Sequence, residues 1–358
     1  MAPEARCYMI KANGRIMKSS TDLDELLRGI RDNDRATLGR AITLVESNAP
    51  DDRQNAQELL TALLPSTGGA HRIGISGVPG VGKSTFIESF GLRLVEDGHR
   101  VAVLAVDPSS SVSKGSILGD KTRMEKLAAS DDAFIRPSPT GGSLGGVARK
   151  TREAILLCET AGYDVVLVET VGVGQSEIAV AEMVDLFLVL KLAGAGDELQ
   201  GIKRGILELA DLISINKADG DNLPAAELAR AEFERALAIL KPAGEDGWKP
   251  RVVTSSGQSG DGLDEIWEII GEHNELLSGN GELERRRRRQ LLGWMWSLVD
   301  EGLRAAVREH SDIADTIATF EENVLQGRTT PTSAAEKILS TFKSQSIIRQ
   351  LSGTHKLL

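Results

Sequence analysis

The chain has 358 residues, of which 41 % are hydrophobic and 26 % charged, with a formal net charge of −10 and a pI near 5.2. That acidic balance argues against nucleic acid as an obligate partner, because phosphate neutralisation needs a basic face. Two distant cysteines, Cys7 and Cys158, give neither a disulfide framework nor a zinc spacing and fit a reducing compartment, and no apolar run is long enough to span a membrane.

The first stretch, MAPEARCYMIKANGRIMKSS, is basic and acid-poor, as a transit peptide would be. It is short and not clearly amphipathic, so residues 1–19 read as a disordered extension. Residues 20–66 read as a helical segment: Thr21 and Asp24 form a capping pair, Asp34 caps a second helix and Pro50 suits the first turn of a third. PSTGGAH (65–71) is a loop by composition. From 72 the pattern changes. RIGIS (72–76), VAVLAV (101–106), VVLVE (165–169), LFLVLK (186–191), LISIN (212–216) and RVVT (251–254) are short apolar strands separated by helical stretches. Such runs predict an α/β domain over 67–279, a mostly parallel central sheet covered by helices. From 280 to 345 the chain is helical again, with Leu291, Trp294, Met295, Leu298 and Leu303 at helical spacing, and 346–358 is a tail. The arginine run 285–289 could form a nucleic-acid patch, but at the start of an amphipathic helix in an acidic protein it reads better as a solvated or interface face.

Polar motifs begin at the carboxyl ends of these strands, where parallel sheets bind ligands. Gly77-Val78-Pro79-Gly80-Val81-Gly82-Lys83-Ser84, followed by Thr85, matches the phosphate-binding loop G-x-x-x-x-G-K-[ST]. Its glycines let backbone N–H groups wrap a phosphate, and the helix that follows adds its positive end. Lys83 would reach the β- and γ-phosphates and Ser84 would hold Mg²⁺. Asp107 ends VAVLAVD and can hold Mg²⁺ directly or through water, or simply cap the turn DPSSS; Asp120 is a second candidate. Glu169 leads into TVGVGQSE, where the Gly172 N–H can sense a γ-phosphate and Glu169 can orient a water or the metal's water. Lys83, Asp107, Glu169 and Gly172 are therefore the candidate catalytic set, and Ser84, Asp107, Asp120 and Glu169 the candidate metal set.

Asn216-Lys217-Ala218-Asp219 follows LISI. The Asp219 carboxylate can accept both N1–H and the 2-amino group of guanine, whereas adenine would leave it unpaired. Lys217 can lie along the base, and Ser255, Ser256 and Gly257 stand where a second base-contacting loop belongs. The cofactors expected are GTP or GDP with Mg²⁺. The five histidines are scattered and no Cys/His tract would hold nickel or zinc.

Together GVPGVGKST, VAVLAVDPSS, GSILGDKTRM, RPSPTGGSLGG, VLVETVGVGQSE, GAGDELQGIKRGI and NKAD closely resemble the MeaB/ArgK/MMAA family of P-loop GTPases over roughly 20 to 345. The resemblance implies a G-protein chaperone that gates adenosylcobalamin loading and protects a B12-dependent acyl-CoA mutase of the methylmalonyl-CoA type. It places Lys83 and Ser84 on the phosphate and Mg²⁺ positions. Asp107, Asp120 and Glu169 fall on the metal-side acids, Asp219 on the guanine-reading acid and Gly194–Gly205 on an extra switch loop. It further implies a homodimer through the C-terminal helices; the acidic charge argues against a nucleic-acid partner and the lack of a long apolar run against a membrane one, and the setting expected is the cytoplasm, or the mitochondrial matrix in a eukaryote. SSSVSKGS (109–116) departs from the family's usual run and leaves the chemistry of the first switch open.

Three other readings compete. A kinase for a periplasmic amino-acid-binding protein needs a base placed for an acceptor hydroxyl, and no candidate stands out beyond the switch acids. A metal-insertion GTPase lacks its Cys/His tract. A pure interaction protein would not need the intact loop. Gly-rich switches without an evident arginine finger predict slow hydrolysis that a partner accelerates.

Overall fold

A computed structural model describes residues 20–106, 124–137, 144–170, 176–194, 204–240, 244, 246–310 and 313–354. Among these, three helices come first: α1 (Ser20–Arg31), α2 (Arg35–Glu46) and α3 (Pro50–Leu63). Asp34 caps α2 as expected, accepting from the Ala36 N–H at 2.9 Å and the Thr37 hydroxyl at 2.7 Å, and Pro50 opens α3. Helix α1 begins at Ser20 and so includes Thr21. There follow β1 (His71–Gly77), α4 (Lys83–Glu96), β2 (Val101–Val106), α5 (Glu125–Ala128), β3 (Ala133–Arg136), α6 (Leu144–Thr160) and β4 (Val165–Thr170). Then come α7 (Ser176–Ala181), β5 (Leu186–Leu192), α8 (Arg204–Leu209), β6 (Leu212–Asn216), α9 (Leu223–Leu240), β7 (Arg251–Thr254) and α10 (Leu263–Gly279). Three helices close the chain: α11 (Glu282–Arg308), α12 (Ala314–Leu325) and α13 (Pro331–Thr354).

All seven described strands are parallel, in the order β3-β2-β4-β1-β5-β6-β7. Six match the apolar runs to within a residue. The seventh, β3, has only the four residues AFIR between polar flanks, too short to register as a strand by pattern.

The strands are apolar at nearly every position because both faces are covered. Side chains alternate with period two. Val101, Val103, Val165, Leu167, Leu186 and Leu188 face a core shared with Phe86 and Phe90 of α4 and Ile266 of α10. Ala102, Leu104, Val166, Val168, Phe187 and Val189 face the other core, which α6 and the N-terminal helices close with Leu157, Leu38, Ile42 and Leu59. The N-terminal segment is thus an extra helical layer over one face. Gly74 keeps β1 thin there: a Cβ would lie 2.8 Å from the Phe187 ring and 2.9 Å from Val180.

The described residues fall into two compact units, divided between Gln290 and Leu291. In the first, the start of α11 crosses the amino ends of the strands, opposite the ligand edge, and two of the five arginines hold it there. Arg287 grips the Asp185 carboxylate with two bonds, 2.8 and 2.6 Å, and donates to Ala70 O at 2.8 Å and Gly68 O at 2.5 Å. Arg286 donates to Asp185 O, to Asp246 at 3.2 Å and to Asp211 at 3.4 Å. Both aspartates also accept strand N–H groups, Asp185 from Arg72 and Asp211 from Phe187, each at 3.0 Å. Arg286 and Arg287 are therefore an internal clasp, which rules out the solvated half of the solvated-or-interface face read from the sequence. Arg285 and Arg289 pair with Glu282, and Arg288 with Glu284.

In the second unit, His310 packs edge-on against Phe342 at 5.5 Å and Ile313 is fully buried. Leu291, Leu292, Met295, Trp296 and Leu303 of α11 are exposed.

Candidate functional site

The site is built from a phosphate loop and a pair of further loops on the carboxyl edge of the sheet. The first leaves β1. Gly77 must be glycine because a Cβ there would stand 2.7 Å from Leu190 O, backbone of the neighbouring strand. Gly80 and Gly82 adopt left-handed φ values of 83° and 93°, which a Cβ disfavours. Between them Val81 is fully buried and anchors the loop in the core. α4 then starts at Lys83, whose ammonium turns back onto the loop and donates to Gly77 O at 2.7 Å. Burial pushes the Lys83 pKa down, and the charges of Glu169 and Glu177 oppose that shift. The loop can wrap a phosphate, with the Lys83 ammonium held beside it.

Ser84 and Glu169 meet across the site, with the hydroxyl 3.5 Å from Glu169 Oε1. A hydroxyl and a carboxylate are the hard oxygen donors that Mg²⁺ prefers, so the pair fits a phosphate-bound cation. Glu169 lies opposite Ile75 of β1 and Ala105 of β2 in the ladder. Asp107, Asp120 and Gly172 lie outside the described residues, as do 195–203 of the switch-loop segment.

The second loop pair follows β6 and β7. Asn216, 1 % exposed, ties three parts together: its amide donates to Val81 O at 2.8 Å and its carbonyl accepts from the Gly257 N–H at 3.2 Å and the Ser255 hydroxyl at 3.4 Å. Lys217 reaches over the phosphate loop and donates to Gly80 O at 3.0 Å. It does so from a left-handed φ of 61°, a strained conformation of the kind that collects at functional sites. The Ser256 hydroxyl donates to the Asp219 carboxylate and accepts from the Gln258 and Ser259 N–H groups at 3.2 and 3.1 Å. Asp219 is thereby aimed, with acceptor capacity left for two donors of a guanine edge. Gly257 packs on the start of α4, where a Cβ would meet Phe86 N at 2.8 Å, and the Ser89 hydroxyl donates to Gly257 O at 2.5 Å.

The structure therefore brings Gly77–Thr85, Glu169, Asn216, Lys217, Asp219 and Ser255–Gly257 to one edge. Sequence reasoning missed Ser89, which pins the candidate base loop to α4, and Glu177, a buried acid whose charge reaches Lys83. Glu177 stands in the quoted run VLVETVGVGQSE; Ser89 carries no local signal. A cavity of about 630 Å³ against β7, lined by Trp248, Arg251, Arg230 and Leu276, takes none of these residues and is not the candidate site.

Residues 38–312 match the family model described as methylmalonyl Co-A mutase-associated GTPase MeaB. A probable GTPase of Mycobacterium tuberculosis is 54 % identical over 317 residues, covering 88 % of this chain and 94 % of its own. The mouse protein named methylmalonic aciduria type A homolog, mitochondrial, is 48 % identical over 341 residues, with 92 % and 81 % covered. GTPase ArgK of Escherichia coli is 48 % identical over 317 residues, with 87 % and 96 % covered. A crystal structure titled LAO/AO transport system kinase superposes with a TM-score of 0.74 at 39 % identity, covering 91 % of this chain and 99 % of that one. With the phosphate loop and the base loop on one edge of a parallel sheet, these matches establish that the chain is a guanine-nucleotide-binding P-loop GTPase and belongs to the methylmalonyl-CoA mutase-associated GTPase family.

Proposed function

We propose that this GTPase is the chaperone of an adenosylcobalamin-dependent acyl-CoA mutase: it gates loading of the cofactor and protects the mutase from inactivation. The observation that carries the reading is the family match over 38–312, named for mutase association. The nucleotide site supports it. A loop that ties phosphate, base and strand-end acid into one unit suits a sensor of nucleotide state. In the proposed chemistry Lys83 neutralises charge on the β- and γ-phosphates. Ser84 and Glu169 hold Mg²⁺, joined by Asp107 and Asp120, and Gly172 reports the γ-phosphate through the segment Gly194–Gly205. Asn216, Lys217, Asp219 and Ser255–Gly257 select guanine. Hydrolysis is slow alone and accelerated by the mutase.

Dimerisation through the C-terminal helices completes the proposal, supported by the exposed Leu291, Leu292, Met295, Trp296 and Leu303 of α11. An exposed apolar run of this kind favours a covering partner. Among the described residues no helix is long and apolar enough to cross a membrane, and the cytoplasm or the mitochondrial matrix is the proposed setting. The test is affinity capture of the native partner with GDP and with a non-hydrolysable GTP analogue, followed by GTP turnover with that partner. A B12-dependent mutase captured in a nucleotide-dependent way, and faster turnover in its presence, is the expected result. The kinase name of the similar crystal structure supplies the competing reading. Transfer of the γ-phosphate to an amino-acid-binding protein, with no mutase captured, would replace the chaperone reading.

A further inference from the structure

A second charged cluster sits on the same edge of the sheet, away from the nucleotide loops. β3 stops at Arg136, opposite Leu104, while β2 runs on and pairs only with β4: Ala105 with Glu169 and Val106 with Thr170. The step in the ladder leaves a cleft over Leu104 and Ala105, walled by Arg136 and Pro137, by Glu46 of α2, and by Lys150 and Thr151 of α6. The whole cleft has about 10 Å³ of space, room for one water-sized group.

Lys150 is the member without a role. It is 7 % exposed, yet no hydrogen bond or ion pair engages its ammonium among the described residues. Its neighbours are occupied. Arg136 forks onto Glu46 and reaches the Thr43 hydroxyl at 3.3 Å, and Thr151 donates to Val147 O at 2.9 Å. Arg53 of α3 and Arg149 and Glu153 of α6 also act on Lys150, and Glu153 is itself bonded by Gln57 at 3.2 Å. The cations Arg53, Arg136, Arg149 and Lys150 thus face two carboxylates, Glu46 and Glu153. In a chain of net charge −10 this is a local surplus of positive charge. An ammonium drawn partly out of water without a counter-charge is costly. Burial and the neighbouring Arg149 charge lower the Lys150 pKa, an effect that Glu46 and Glu153 only partly oppose.

We propose that this cleft binds a small oxyanion, a carboxylate or a phosphate, with one oxygen on the Lys150 ammonium at the inner end and the remainder at the mouth. The cleft supplies the cation and the volume for one oxygen, while Thr151 and Arg136 already have partners. The site adjoins the strand that carries Glu169 but shares no residue with the nucleotide loops.

The experiment is thermal unfolding of the full chain saturated with a non-hydrolysable GTP analogue, so that added phosphate does not report on the nucleotide site. Sodium phosphate, sodium acetate and sodium chloride are titrated at constant ionic strength. The expected result is a saturable rise of the midpoint by about 2–4 °C at some ten times the dissociation constant. Phosphate or acetate should produce it and chloride should not, and the effective anion identifies the ligand class. Lys150→Met should lose the response while unfolding no earlier than wild type without anion, since it removes a buried charge and keeps the side-chain length. Lys150→Arg should retain the response. Equal shifts in wild type and Lys150→Met, or no saturable shift up to about 100 mM anion, would overturn the proposal.

Discussion

Asn216→Ala is the sharpest test of how the site is held together. The side chain is 1 % exposed and spans phosphate loop and base loop, with Val81 O at 2.8 Å on one side and the Gly257 N–H at 3.2 Å on the other. Alanine removes both bonds and leaves the Val81 carbonyl and the Gly257 N–H without their Asn216 partner. Each buried group left without a partner costs about 1–3 kcal/mol. The Ser255 hydroxyl keeps its bond to Ser214 at 2.6 Å and adds little. A loss of about 2–4 kcal/mol follows, a large part of the ~5–15 kcal/mol that stabilises a typical domain. In thermal unfolding of the nucleotide-free chain this corresponds to a drop of about 5–12 °C. Fluorescent GDP titration should show weaker binding by about tenfold or more, because the two loops lose their common brace. A midpoint within about 2 °C of wild type, together with unchanged GDP affinity, would show that the Asn216 bridge does not organise the site.

Gly257→Ala places a methyl group 2.8 Å from Phe86 N, a backbone atom that cannot step aside. It should cut guanine-nucleotide affinity by about tenfold or more in the same titration, with a far smaller effect from Gly271→Ala, where nothing lies within 4 Å. Asp219→Asn should weaken GTP and favour xanthosine triphosphate, whose C2 oxygen replaces the amino group; an unchanged preference in competition binding would contradict the base-reading role. Arg287→Met strips the buried Asp185, 4 % exposed, of its ion pair and should cost about 3–5 kcal/mol in denaturant unfolding, part of it recovered by adding Asp185→Asn. Acid should destabilise the chain through His273. Burial holds this imidazole below its usual range, while Asp211, Asp185 and Asp246 pull upward and Arg286 adds to the depression. The unfolded chain then binds the proton more readily. The His273 contribution is full above ~6.5 and is lost as pH falls toward the lower folded value. His273→Leu should reduce the fall in unfolding midpoint between about pH 7.5 and about pH 5.5.

Local chemistry carried much of this protein's organisation. Strands covered on both faces must be apolar throughout, so six of the seven described strands stand out as runs such as VAVLAV and LISIN. A loop that approaches a phosphate by its backbone must be glycine-rich before a Lys, so GVPGVGKS could be read directly. Asn216 and Asp219 were legible because their motif is contiguous. What joins them was not, because it depends on strand order. Asn216 meets Val81 only because β5 lies between β1 and β6 at hydrogen-bonding distance on either side. The same order sets Ser89 under Gly257 and aims Ser256 at Asp219. Arginine has no periodicity that separates a solvated face from a clasp; burial of Asp185 and Asp211 at the strand starts made Arg286 and Arg287 internal. β3 is too short to announce itself, and the step where it ends creates the cleft around Lys150. Sequence alone picked out, through spacing along one strand end or one loop, which groups are candidates to meet a guanine nucleotide. Tertiary structure decided which of them touch, because contacts across the sheet join residues whose separation in the chain carries no pattern.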